Sequence, residues 1–360
     1  MPANRMNREE FYAQISPLDA EQLRKVLWTA YWRGGVQARE RIEDALTPEA
    51  PPKRKAVDKR EPDEVLAEVT EFVALARDGA YMYGDRRVTR AQRSKWRLTF
   101  RSLATQAQSA LHDSDTGPAE QAMEQIIGLA CEMHTSDYFH SDDPVEAARF
   151  VVSHAAAALW LTVLNQHGFA EFARRVAPQL ISWESAYGWT RGDGKVAENE
   201  RLLADVLASI LTTAQMWREF AVAYLAALDG VPVPSQRGHS WYSSGDYSCR
   251  ERAANLGAWH EILVDQLAGT ADAGLLDQVA DHRAFAGSEV TLLRVRIARA
   301  AGDLVAARKL VAEGLEELPG SYEFLQLAGE LKAELPPAAR KIAAERARAE
   351  ALIRGAAPHQ

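Results

Sequence analysis

A chain of 360 residues, 47% hydrophobic and 26% charged, can bury a sizeable core and is not a disordered polyelectrolyte. Its formal net charge of -8 argues against a general nucleic-acid binder, which carries a basic surface. Two cysteines, Cys131 and Cys249, are too few for a disulfide framework, and Met1–Glu10 lack an apolar signal core, so the expected compartment is the reducing cytoplasm.

Helix punctuation runs through the sequence and strand signals are nearly absent, which predicts an all-α protein. Ser16-Pro17-Leu18-Asp19 has the chemistry of a helix start, and Leu23, Val26, Leu27, Ala30 and Tyr31 then share one face. Gly34-Gly35 breaks this helix and a second is expected over Val36–Leu46, giving an N-terminal helix pair in residues 1–46. Residues 47–62 hold four prolines and no apolar periodicity, and read as a linker. A central helical domain is expected over 63–230. Its helices are Asp63–Ala80, one capped by Thr89, Pro118–Glu132, one opened by Asp143-Pro144-Val145-Glu146 and running to Gly168, Phe169–Tyr187, Val196–Leu211 and Ala214–Leu228. The apolar stretch Phe150–Leu164 is too short to cross a membrane and reads as a core helix. Val231–Cys249 mixes Pro, Ser and Gly with Trp241, Tyr242 and Tyr247, and is expected to be a long loop. Helices resume at Arg250 and fill residues 250–355.

Within that last region, Gly302-Asp303 marks a turn, Ala298 and Ala307 leave room for close helix approach, Leu315 is a late apolar position and Pro319 closes the unit. In these residues Val290–Pro319 resembles one tetratricopeptide-type repeat, a helix pair of about 34 residues. Thr291 replaces the bulky aromatic that usually begins the first helix, and Val295 occupies a usually small position. Ser321–Leu335 with Ala338–Ile353 form a further pair around Pro336-Pro337, and Arg250–Leu267 with Asp272–Ala286 are degenerate units upstream. The resemblance implies a right-handed solenoid of helical hairpins that binds peptides or protein surfaces in its groove.

Candidate chemistry is sparse. Cys131, His134 and His140 stand among Asp137, Asp142 and Asp143, which are metal-ligand types, but their spacing matches no standard site and Asp143 is also placed to cap a helix. His260-Glu261 lacks the second histidine of a zinc-protease helix, because Val264 stands there. Arg86 and Arg87, beside Gly84-Asp85, could hold a phosphate or carboxylate, or pair with surface acids. The basic run Lys53, Arg54, Lys55, Lys59 and Arg60 is diluted by Glu49, Asp58 and Glu61. Arg39 and Arg41 on Val36–Leu46 share their helix with Glu40, Glu43 and Asp44, which opposes DNA-groove binding.

The sequence therefore predicts a non-enzymatic interaction or scaffold protein with a protein or peptide partner, no cofactor, no membrane span and no nucleic acid. Partner contacts are expected at Trp241, Tyr242, Tyr247, Arg86 and Arg87. The alternatives are an enzyme or metal protein with a site around His134–Asp143, and a DNA-binding regulator. The sequence leaves the oligomeric state open.

Overall fold

The structure is a computed structural model that describes residues 8–33, 60–82, 85–113, 115–133, 135–187, 194–232 and 244–355. The chain divides into two compact units, Met1–Lys59 and Arg60–Gln360. Among the described residues every regular element is a helix and none is a strand, so the protein is all-α. No described helix is long and apolar enough to cross a membrane.

The first unit contains α1 (Arg8–Ile15) and α2 (Ala20–Arg33). Ser16 and Pro17 turn out of α1 instead of opening α2. The cap of α2 is Asp19, whose carboxylate accepts from the Gln22 amide at 2.7 Å while its own amide donates to the Gln22 side chain at 3.0 Å. Trp28 and Trp32 stack on the exposed surface of this helix. The expected partner helix Val36–Leu46, the basic run Lys53–Lys59 and most of the linker lie outside the described residues.

The second unit begins with α3 (Pro62–Arg77), where Pro62, Asp63 and Glu64 suit the positive helix start. Its stripe Val65, Val69, Phe72, Val73 and Ala76 is buried. A capping box between Thr89 and Gln92 opens α4 (Arg90–Ala110), which buries Trp96, Phe100, Leu103 and Ala107. The third helix, α5 (Gly117–Glu132), is apolar on most of its surface and packs on α3 and α4. Phe72, Tyr81, Trp96 and Phe139 meet between these helices, with the Trp96 and Phe139 rings 4.1 Å apart.

Asp143 caps the next helix as expected, its carboxylate accepting from the Glu146 amide at 2.9 Å. That helix, α6 (Pro144–Ala148), does not run to Gly168. It stops at Arg149, whose φ of 52° is left-handed, and α7 (Val152–Tyr187) starts afresh. Gly168, at φ 76° and ψ 175°, breaks α7 into two arms, so the stop expected at that glycine is present.

The expected helix Val196–Leu211 is also shorter. A 3-10 turn at Ala197–Asn199 precedes α8 (Leu203–Ile210). Three carboxylates pin the segment between: Glu146 accepts from the Val196 amide, Glu200 from the Val152 and Ser153 amides at the start of α7, and Glu184 from the Leu203 amide at the start of α8. Each satisfies backbone donors that a helix start leaves open. Gly194, at φ 140°, lets the chain pass so close that a Cβ there would lie 2.8 Å from the Glu146 carboxylate.

The chain continues through α9 (Ala214–Asp229), α10 (Ser244–Asn255), α11 (Gly257–Leu267) and α12 (Gly274–Ala280). Two expectations need correction here. The helix predicted from Arg250 starts at Ser244, so Tyr247 stands on a helix and not in a loop. The helix predicted as continuous to Leu267 breaks at Leu256, whose φ and ψ of -90° and 3° interrupt it.

The last four helices are α13 (Ser288–Ala300), α14 (Leu304–Glu317), α15 (Tyr322–Leu331) and α16 (Pro337–Gly355). Gly302, at φ 79°, turns α13 into α14, and Asp303 caps α14 through the Ala306 amide at 2.9 Å. This is the helix pair expected over Val290–Pro319. Ala307 is fully buried, and Gly314 lies so near the Phe324 ring of α15 that a Cβ would sit 2.5 Å from it.

One apolar core runs from Val65 on α3 to Leu293 on α13 without parting near 231–249. A second core joins α13, α14, α15 and the start of α16. Helix α13 is the shared wall, with Leu293 in the first core and Leu292 and Val295 in the second.

Candidate functional site

The helices α11, α13 and α15 begin at residues 257, 288 and 322, 31 and 34 residues apart. Helices α13 and α14 pack as a close pair, and α11, α13 and α15 line one groove of about 600 Å3. Its floor is apolar, with Val264, Leu292 and Leu327. Its walls are charged: Glu261 and Asp265 from α11, Arg296 and Arg299 from α13, and Glu323 and Glu330 from α15.

Both arginines already face carboxylates, Arg299 to Glu330 at 2.8 Å and Arg296 to Glu261 at 3.9 Å. Asp265 and Glu323 enter no ion pair with a described residue, which leaves the groove with an excess of negative charge. Glu289 stands close by, and its carboxyl is pushed up by burial and by the neighbouring Glu323. A concave surface with an apolar floor and a surplus of carboxylates suits an extended segment carrying lysine or arginine.

The residues singled out in the sequence do not gather there. Cys131 is buried in the first core while His140 is exposed, and His134 lies outside the described residues. No group of three or more His, Cys, Asp or Glu side chains arranged to hold a metal ion occurs among the described residues. The arginine pair is split. Arg87 is committed to Asp85 (2.7 Å) and Asp78 (3.1 Å), and this contact holds the Asp85 carboxyl down to about 2, whereas Arg86 is exposed. Tyr247 is 68% exposed on α10, and Trp241 and Tyr242 lie outside the described residues.

Two buried polar constellations escape sequence reasoning. The carboxylate of Glu120 accepts from the Thr116 hydroxyl at 2.7 Å and from Arg175 at 2.6 Å, and meets the His167 ring at 3.0 Å. Burial pushes this carboxyl up, but the three hydrogen bonds and the Arg175 charge outweigh it and hold the group below the usual carboxylate range. The cluster ties α5 to α7. The second is the hydrogen bond between the Tyr224 hydroxyl and His260 Nε2 at 2.9 Å, deep between α9 and α11. Burial pushes the imidazole down to about 3 and the phenol well up, so both stay neutral. His260 is thus a core residue, in line with the failed zinc-protease spacing.

Comparison of the chain with known protein families, with characterised proteins and with solved structures finds no match.

The signal for the turn that joins α13 to α14 was present in the sequence as Gly302-Asp303. The signals for Glu120 and His260 were not, because their partners lie 47 and 36 residues away.

Proposed function

We propose that residues 250–355 form a tetratricopeptide-like array and that the protein is a non-enzymatic interaction module. It binds a basic peptide or protein segment in the groove of α11, α13 and α15. The observation that carries this reading is the alignment of α11, α13 and α15, which start 31 and 34 residues apart, around one concave surface. The small residues Ala307 and Gly314 support it, since they let neighbouring hairpins approach closely.

The test is selection of binders to the full chain from a displayed random-peptide library, followed by calorimetric titration of the enriched peptides. Ala300→Trp obstructs the groove from an exposed position, and Asp265→Lys with Glu323→Lys inverts its unpaired charge. Enriched peptides should be basic, and both variants should weaken binding at least about tenfold, ~1.4 kcal/mol. Peptides that bind both variants as tightly as the wild type would place recognition elsewhere.

A further inference from the structure

From Arg86 to His112 the sequence holds seven Arg/Lys and no Asp/Glu, inside a chain of net charge -8. The helix α4 carries most of this run. Trp96, Phe100, Leu103 and Ala107 face the core, which turns Arg90, Arg97 and Arg101 onto one solvent-side flank. Arg90 and Arg97 are separated along the axis by ~10 Å, and Arg97 and Arg101 by ~6 Å.

Arg149, at the end of α6, completes the patch. Arg101 donates to the Ala147 and Ala148 carbonyls, both at 2.6 Å, which fixes it between the two helices. The charges acting on Arg101 are those of Arg149 and Arg97, both of the same sign. Neither Arg90, Arg97, Arg101 nor Arg149 enters an ion pair with a described carboxylate. Arg149 is also exposed in a left-handed conformation, at φ 52°, where a helix end ordinarily takes glycine or asparagine. Arg149 and Arg97 thus both act on Arg101, and none of the three is neutralised by an ion pair with a described carboxylate.

We propose that this face, built from Arg90, Arg97, Arg101 and Arg149, binds the phosphate backbone of a nucleic-acid duplex without reading its sequence. An acidic protein is a poorer occupant, because the flank offers little apolar surface beyond Leu98, which is 51% exposed, and a protein interface needs an apolar centre. A single strand is a poorer one too, because the aromatic residues of α4, Trp96 and Phe100, are buried and unavailable for base stacking. Ser102 and Thr105 are also exposed on α4, and hydroxyls can donate to phosphate oxygens. The acidic charge elsewhere does not forbid contact, since at physiological salt it is screened beyond ~8 Å.

The test is fluorescence anisotropy of a labelled, mixed-sequence DNA duplex of about two helical turns, titrated with the full chain. Engagement of three phosphates predicts that a fourfold rise in salt weakens binding about 40-fold. The variant Arg90→Gln/Arg97→Gln/Arg149→Gly should bind about tenfold more weakly, with a flatter salt slope and an unchanged melting midpoint. A control of equal charge, Lys309→Gln/Lys341→Gln/Arg348→Gln, should bind like the wild type. If the triple variant unfolds, Arg149→Gly alone carries the test, since glycine suits that backbone, and should weaken binding about threefold. The proposal is overturned if the wild type fails to bind at low salt, if the control loses as much as the triple variant, or if poly-glutamate binds more tightly than the duplex.

Discussion

His260 and Tyr224 make a prediction at the scale of single side chains. In the folded chain His260 titrates at about 3, against an ordinary value near 6.5, because burial disfavours the imidazolium. The unfolded chain therefore takes up a proton below pH ~6.5 that the folded chain refuses. This contribution to stability is fully present above pH 6.5 and is lost as pH falls towards 3, at up to ~1.4 kcal/mol per pH unit. Glu120 acts in a lower window, since its carboxyl lies below the usual range and its stabilisation is lost only as pH falls through that value. Comparing wild type and His260→Gln in denaturant melts between pH 6.5 and 4.5 isolates the histidine, because Glu289, whose carboxyl is also pushed up, is common to both. His260→Gln keeps an acceptor for the Tyr224 hydroxyl and should flatten the pH dependence by roughly 1 kcal/mol per unit, and equal slopes in the two proteins would exclude the assignment. Tyr224→Phe should cost ~1–3 kcal/mol by leaving the buried imidazole nitrogen without its hydrogen-bond partner.

At the scale of elements, two glycines on neighbouring helices should respond in opposite senses. Both lie in helices, where alanine is favoured over glycine by ~1 kcal/mol. Gly329 on α15 has nothing within 4 Å of the Cβ it lacks, so Gly329→Ala should stabilise by ~0.5–1 kcal/mol. Gly314 on α14 faces the Phe324 ring at 2.5 Å, so overpacking should exceed the propensity gain and Gly314→Ala should destabilise by ~1–3 kcal/mol. Phe324→Leu in the same chain should relieve part of that cost, and a double-mutant cycle of thermal melts measures the coupling. A Gly314→Ala protein as stable as the wild type would mean that α14 and α15 are not in such close contact. Elements of this kind were the legible part of the sequence. Thr89, Asp143, Gly168, Gly302 and Asp303 act through neighbours within a turn or two, and their roles could be read directly. The shortened helices at Arg149 and Leu203 could not. They end where they do because Arg101, Glu200 and Glu184 supply hydrogen bonds from distant parts of the chain.

For residues 60–360 as a whole, the core that runs from Val65 to Leu293 implies one cooperative unit. Differential scanning calorimetry should show one transition for this unit, with the calorimetric and van't Hoff enthalpies in agreement. Two resolved transitions with a break near residue 240 would mean that the central and C-terminal helices melt independently. Continuity of this sort is hidden from sequence. Val231–Cys249 has the composition of a boundary, yet Trp217, Phe220 and Tyr224 before it pack on Trp259 after it. Composition reports what a segment is made of and not which surfaces meet on either side of it. For the same reason the groove was foreshadowed only through the resemblance of Val290–Pro319 to a helical repeat, while the arginine face of α4 was obscured by the net charge of the whole chain.

The shared wall formed by α13 has a further consequence. Leu292 lines the groove and its neighbour Leu293 belongs to the main core, so a ligand seated on one side of α13 leans on a helix anchored from the other. Occupancy then cannot remain a local event. Ligand at one hundred times its dissociation constant would add ~2.7 kcal/mol to the stability of everything that melts with that helix. The protein would report a guest at its C-terminal end by stiffening helices that the guest never touches.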